Sequence, residues 1–257
     1  MNKYLKQIFE IQGYTVTENE KTGDIDKIIH KDNGEFKKTN SDYIKLYTDT
    51  ISGTVITIRD NGIMRVSPPA SKNYYDFFLL NSPLSVALRS EGSAEPVVYV
   101  YTSIPSDPDI YFSLSITSCN KRITLSLTSI GAIINGSTRI PIKECTSDNF
   151  MKQINKNVSK WKENAELTKK FMQLVEPGLH LFMEDRVKEW ENNLPKIIAK
   201  LSSDKSEQEA KAQGIEKKLE EVRTGIKNIE DQLDELRGRK ELIKTSDGVN
   251  KEKGTNK

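Results

Sequence analysis

Between Ala212 and Ile243 apolar residues recur at alternating steps of three and four for more than four heptads. A repeat of that length commits this part of the chain to a helix whose narrow apolar stripe has to be covered by another helix. Ala212, Leu219, Ile226, Leu233 and Lys240 take the a positions, and Ile215, Val222, Ile229, Leu236 and Ile243 the d positions; only Lys240 is polar. The interface residues this spacing predicts are therefore Ile215, Leu219, Val222, Ile226, Ile229, Leu233, Leu236 and Ile243.

The flanking charges separate the possible pairings. In a parallel homodimer the g and e positions bring Lys218 toward Arg223 and Arg239 toward Lys244 of the second copy, two repulsive contacts on each side. An antiparallel pairing with Ile226 against Ile229 brings Glu216 toward Arg237 and Arg223 toward Glu230, although Lys218 then approaches Arg239. Exposed pairs are worth only about 0.2–1 kcal/mol each, so they choose between packings and do not drive association. β-Branched residues at d also fit a parallel two-stranded coil poorly. The seam is thus expected to pair antiparallel, either with a second helix of the same chain or with a second copy.

A partner within the chain is offered by the segment before it. Met151, Ile154, Val158, Trp161, Ala165, Met172 and Val175 follow the same spacing after Ser147 or Asp148, either of which can cap a helix. Pro177-Gly178 reads as a stop or bend, and Met183, Val187, Trp190 and Leu194 resume the pattern up to a second break at Pro195. Ser202-Ser203-Asp204, with Glu207 in capping position, then suggests a fresh start. These signals predict a first helical arm over 146–202, broken near 177–178 and 195, a coiled-coil helix over 203–244 and a disordered polar tail over 245–257. Two arms joined by a short polar loop make a helical hairpin.

Ahead of Glu144 to Asn149, where the domain boundary is placed, the composition is that of strands. Residues 1–40 read as an amphipathic docking helix carrying Tyr4, Leu5, Ile8 and Phe9, then an exposed hairpin turning at Asn33-Gly34. Residues 41–145 carry roughly ten short strand-like runs separated by Gly, Pro, Asn and Ser. In Thr54 to Ser67, a three-residue loop Asp60-Asn61-Gly62 sets Ile58 opposite Met64 and Ile56 opposite Val66, keeping apolar residues on one face. Phe112, Leu114 and Ile116, and Ile123, Leu125 and Leu127, alternate with Ser and Thr, which predicts a sheet with one wet face; Pro141 makes Thr138 to Ile142 an edge. The fold class expected is α+β with segregated elements: an N-terminal antiparallel β-sandwich or open barrel, then a C-terminal α-helical hairpin or coiled coil.

Four features carry candidate chemistry. Asp24 or Asp26 followed by Glu35-Phe36-Lys37 resembles the acidic-then-Glu-x-Lys pattern of the restriction-endonuclease-like nucleases. That resemblance implies carboxylates holding a divalent cation and a lysine orienting the attacking water. Lys152, Lys156 and Lys160, with Lys162, Lys169 and Lys170 nearby, form a basic row that a phosphate backbone would fit, but Glu163 and Glu166 interrupt it and the net charge is only +2. Tyr74, Tyr75, Phe77, Phe78, Tyr99, Tyr101, Tyr111 and Phe112 serve either as core or as a surface platform. His180 and Glu184, one helical turn apart, are two groups where a zinc site needs three or four, and His30 supplies no third.

Cys119 and Cys145 are too few and too separated for a disulfide framework or zinc cluster, and neither a nucleophile elbow nor a phosphate-binding glycine loop occurs. No apolar run reaches membrane-spanning length and the first residues lack a secretory signal, so the expectation is a cytoplasmic protein. No catalytic residue, cofactor or metal is assigned. The sequence thus predicts a non-enzymatic assembly, adaptor or structural protein, a division of labour that suits a component of a viral or phage-like assembly. Its C-terminal helices would join copies or dock a protein partner, its β-domain would bind an unidentified ligand, and nucleic acid is not an expected partner. The alternative is a metal-dependent nuclease or nucleic-acid-binding protein using the Asp24 to Lys37 hairpin or the Lys152 to Lys160 row.

Overall fold

A computed structural model of the chain describes residues 1–22, 25–32, 34–40, 44–49, 51–80 and 82–252; side chains are described except at 34, 35, 37–40, 44, 45 and 242–252. It divides into two units, Met1–Leu194 and Pro195–Lys257. The elements are α1 (Lys3–Ile11), β1 (Tyr14–Glu18), β2 (Ile25–His30), β3 (Gly34–Glu35), β4 (Lys37–Asn40), β5 (Ile44–Thr48), β6 (Val55–Arg59), β7 (Ile63–Ser67), β8 (Asn73–Phe78), β9 (Ser85–Ser90), β10 (Val98–Ser103), β11 (Ile110–Ser118), β12 (Lys121–Thr128), β13 (Gly131–Ile134), β14 (Thr138–Ile140), α2 (Ser147–Val158) and α3 (Ala165–Glu252).

The α+β class stands. In the first unit, β4 to β14 form one eleven-stranded antiparallel sheet in chain order, and β1 to β3 form a separate three-stranded sheet. Each strand of the large sheet thus pairs with its sequence neighbours, as short connections between antiparallel strands favour. Against the expected sandwich or open barrel, the sheet is one unclosed meander, whose end strands β4 and β14 are not paired with each other among the described residues. β14 is an edge, as Pro141 predicts. The register of β6 and β7 is the one chosen from side-chain matching: Ile58 faces Met64 and Ile56 faces Val66, with Gly62 at φ +75°.

Helices, rather than a second sheet, cover the apolar face. Tyr47, Ile56, Met64, Phe77, Val86, Leu88, Val100, Phe112, Leu114, Ile116, Leu125 and Leu127 are buried on it. Opposing them are Leu5, Ile8 and Phe9 of α1, Phe150, Met151 and Ile154 of α2, and Phe171, Val175, Leu179 and Phe182 of α3, all buried. Aromatic edges tie the layers together: Phe9 lies 4.9 Å from Phe77, Phe112 lies 5.5 Å from Phe182, and Tyr4 lies 5.4 Å from Phe182, measured between ring centroids. α1 meets α3 at Gly178, where a Cβ would stand 2.5 Å from the Tyr4 carbonyl oxygen.

The helical reading needs correction at several points. Thr146, not Ser147 or Asp148, caps α2, its Oγ1 accepting from the Asn149 N–H at 3.2 Å. α3 continues through Pro177, Pro195 and Ser202-Ser203-Asp204, so the hairpin between a 146–202 arm and a 203–244 helix does not form. Pro177 lacks the N–H that would bond one turn back, at a cost of about 3 kcal/mol. Burial of Val175, Leu179 and Phe182 on either side of it is large enough to outweigh that loss. The unit boundary falls at Leu194, after the helical residues that cover the sheet. Helix extends to Glu252 across most of the expected disordered tail, and 253–257 lie outside the described residues.

Candidate functional site: the uncovered helical seam

In the second unit the described seam residues are exposed. From Leu201 to Lys240 every residue is exposed except Gly225, which is half-buried. Ile215, Leu219, Val222, Ile226, Ile229, Leu233 and Leu236 expose between 46 % and 68 % of their surface, and Ile198 and Leu201 continue the stripe at 61 % and 49 %. These are the residues predicted as the interface; the side chain of Ile243 lies outside the described residues. Single exposed apolar residues are ordinary, but a contiguous row of this length is not, which makes the stripe the candidate site.

Local electrostatics hold this helix without covering it. Ion pairs three or four residues apart join Lys211 to Glu207 at 2.6 Å, Arg223 to Glu220 at 3.8 Å, Arg237 to Asp234 at 3.2 Å and Arg239 to Glu235 at 3.3 Å. Such pairs contribute roughly 0.2–0.5 kcal/mol each. Gly214, Gly225 and Gly238 oppose them, each costing about 1 kcal/mol relative to Ala, and a Cβ at any of the three would meet nothing within 4 Å.

The first unit holds the remaining predicted residues, and it disperses most of them. Of the nuclease-like set, Asp24 and the side chains of Glu35 and Lys37 lie outside the described residues, Asp26 is exposed on β2, and Phe36 is buried. Lys152, Lys156, Lys160, Lys162, Lys169 and Lys170 are all exposed. His180 has Asp148 Oδ1 2.8 Å from Nε2 and Glu184 Oε1 3.2 Å from Nδ1; opposite ring nitrogens cannot bring those carboxylates to one metal, and the imidazole instead pins α2 to α3. Among the described residues no group of three or more His, Cys, Asp or Glu is arranged to hold a metal ion. No helix among them is long and apolar enough to cross a membrane.

The aromatic run divides by strand alternation. Phe77 and Phe112 point into the core, Tyr75 stacks on Phe171 at 6.3 Å, and Phe78, Tyr99 and Tyr101 line up on the opposite face, where Tyr99 and Tyr101 stack at 6.3 Å. Beside Tyr101 that face forms a shallow recess of about 360 Å³ lined by Ser113, Ser115, Arg122, Thr124 and Ser126. Its hydroxyls largely satisfy one another: Ser113 and Ser126 lie 3.1 Å apart, and Arg122 Nε donates to Ser115 Oγ at 3.0 Å.

Sequence reading missed the cluster around Asp76. This carboxylate is 2 % exposed and accepts from Arg65 Nε at 2.7 Å and Arg65 Nη2 at 2.9 Å, with Arg89 Nε 3.0 Å away. Arg65 also lies over the Tyr74 ring at 3.9 Å, and hydrogen bonding to Asp76 raises its pKa despite partial burial. The only signal available was cross-strand: Arg65 faces Asp76, and Asp76 faces Ala87, two residues before Arg89. Two guanidiniums on one buried carboxylate form a tie across β7, β8 and β9. Comparison with protein-family models, curated proteins and solved structures finds no match.

Proposed function

We propose that this is a non-enzymatic assembly or adaptor protein in which the helix of the second unit joins copies of the chain and the β-sheet unit is a binding module. The observation that supports this reading is the row of seven seam residues from Ile215 to Leu236, each about half exposed or more. Fully burying one such side chain contributes roughly 1.5–3 kcal/mol, so completing the burial adds about 1 kcal/mol per residue. Across two copies that is on the order of 14 kcal/mol, against an association cost of about 4–15 kcal/mol. The balance allows self-association and makes it concentration-dependent. The nuclease reading gains no support from Asp26, which is exposed and belongs to no described group of three or more His, Cys, Asp or Glu that could hold a metal ion.

The test is the mass of the full chain by light scattering over a concentration series, with Ile226→Asp alongside. The wild-type chain should shift toward a multiple of 29.2 kDa as concentration rises. Ile226→Asp should stay monomeric, because a carboxylate at the centre of the stripe would have to be desolvated at a cost of several kcal/mol. A wild-type chain that is monomeric throughout rules out self-association.

A further inference from the structure

We infer that the partner on the seam is a second copy of the same helix running antiparallel, with Ile226 facing Ile229; this deepens the self-association reading above and rests on it. With the helix continuous through Ser202-Ser203-Asp204, no turn within the chain brings a second helical arm onto the seam in the expected hairpin. The exposed row then has to match its own reverse, and it does. Setting Ile226 against Ile229 places Val222 against Leu233 and Leu219 against Leu236, so each of these layers joins an a residue to a d residue and both members are large and apolar. Each layer occurs twice about the two-fold axis.

The polar positions select the same direction. Lys240 is the one polar residue at a, and in a parallel pair it would face its own copy, two ammonium groups across a closing interface. In the antiparallel pair it meets Ile215, whose surface the lysine stem can cover while the charge reaches water. On one flank Glu216 meets Arg237 and Arg223 meets Glu230, four attractive contacts when each is counted twice; on the other, Lys218 meets Arg239 twice. Glu235 lies 3.3 Å from Arg239 and offsets part of that repulsion. The parallel pair instead has Lys218 against Arg223 and Arg239 against Lys244, each twice, with Lys211 against Glu216 as its attractive counterpart. Gly225, on the flank beside the central layer, would face Gln232 and leaves the approach of the two helices clear, since no side chain fills that position. Seven half-exposed residues and their flanking stems bury on the order of 600 Å² per copy, near the roughly 800 Å² per partner of a stable interface.

Disulfide trapping on the full chain tests this. Leu219→Cys and Leu236→Cys are made separately in a Cys119→Ser background, because Cys119 is exposed whereas Cys145 is buried. Each variant alone should give no covalent dimer on mild oxidation, and the two co-expressed should give the mixed dimer; Val222→Cys with Leu233→Cys should behave the same way. A covalent dimer from Leu219→Cys alone overturns the antiparallel direction. A chain that is dimeric by light scattering yet cross-links in neither mixture overturns the register, and a trimeric or tetrameric mass overturns the two-stranded arrangement. A monomeric mass for the unmodified chain overturns the self-association reading itself.

Discussion

Gly178→Ala measures how tightly α1 is seated on α3. In an unpacked helix this substitution is favourable by about 1 kcal/mol. Here the new Cβ would lie 2.5 Å from the Tyr4 carbonyl oxygen and 2.9 Å from Cδ1 and Cγ1 of Ile8. A backbone oxygen cannot swing aside as a flexible side chain can, so α1 has to move by roughly 0.5–1 Å to restore ordinary contact, which is overpacking at about 1–3 kcal/mol. Complete undocking is the worse alternative: it would expose Leu5, Ile8 and Phe9, each at most 4 % accessible, at about 1.5–3 kcal/mol apiece. The helix therefore shifts and stays bound, and the overpacking cost less the helix gain leaves a destabilisation of up to about 2 kcal/mol, or up to roughly 8 °C in Tm. Tryptophan fluorescence isolates the response, because Trp161 and Trp190 are the chain's two tryptophans and both belong to the first unit. A Tm above that of the wild type, the result for an unpacked helix, would show that α1 does not sit against Gly178.

Gly238→Ala provides the opposite sign from the same chemical change: with nothing within 4 Å of its Cβ, it should raise helicity at 222 nm and add about 0.5–1 kcal/mol to the helix, and a loss of helicity would contradict the open surroundings. Asp76→Asn leaves Arg65 and Arg89 without their shared carboxylate and should cost about 2–4 kcal/mol, between the values for exposed and fully buried pairs; an unchanged urea midpoint would remove Asp76 as the tie across β7 to β9. The α1 junction should also respond at both ends of the pH scale. Burial pushes the Asp185 carboxyl up, but hydrogen bonds from Lys3, at 2.5 Å, and Tyr4, with the charges of Lys3 and Arg186, outweigh it and hold the group below its ordinary value. A lowered folded-state pKa means stability present above the unfolded carboxylate range and lost as pH falls through the folded value. Tyr4 is pushed up to about 12, first by burial and then by Asp185, so its contribution is complete below its ordinary value of 10.0 and is lost as pH rises toward 12. Asp185→Asn should flatten the acid limb of the near-UV circular dichroism profile, and an unaltered limb would assign that transition elsewhere.

What the sequence disclosed was local. The loop at Asp60-Asn61-Gly62 could be fixed because shifting the register by one residue would set Ile58 against Arg65, and matching faces forbid it. The docking face of α1 was equally plain, since Tyr4, Leu5, Ile8 and Phe9 are both the periodic residues and the buried ones. Alternation in β11 and β12 showed that one face was covered, but a period of two is the same whether a second sheet or three helices do the covering. Breakers misled for a related reason. Pro177-Gly178 marks a stop when judged alone, yet Val175, Leu179 and Phe182 are buried around it and the missing side chain at Gly178 admits α1. The proline cost is local, and the burial that exceeds it comes from residues distant in sequence.

The same limit explains why a hairpin within the chain was one of the two pairings expected for the seam. A heptad pattern states that a stripe needs a helix opposite, and Met151, Ile154, Val158, Met172 and Val175 offered the matching period in the same chain. Those five residues are buried in the first unit, on helices whose apolar faces already cover the sheet. A helix with one apolar stripe has one face to give, so a stripe engaged by β11 and β12 has none left for Ile226. Periodicity alone cannot apportion stripes among partners; only the fold does that, by using up the available faces. The seam from Ile215 to Leu236 is what remains after that allocation, and its near-symmetry under reversal gives a second copy the means to cover it.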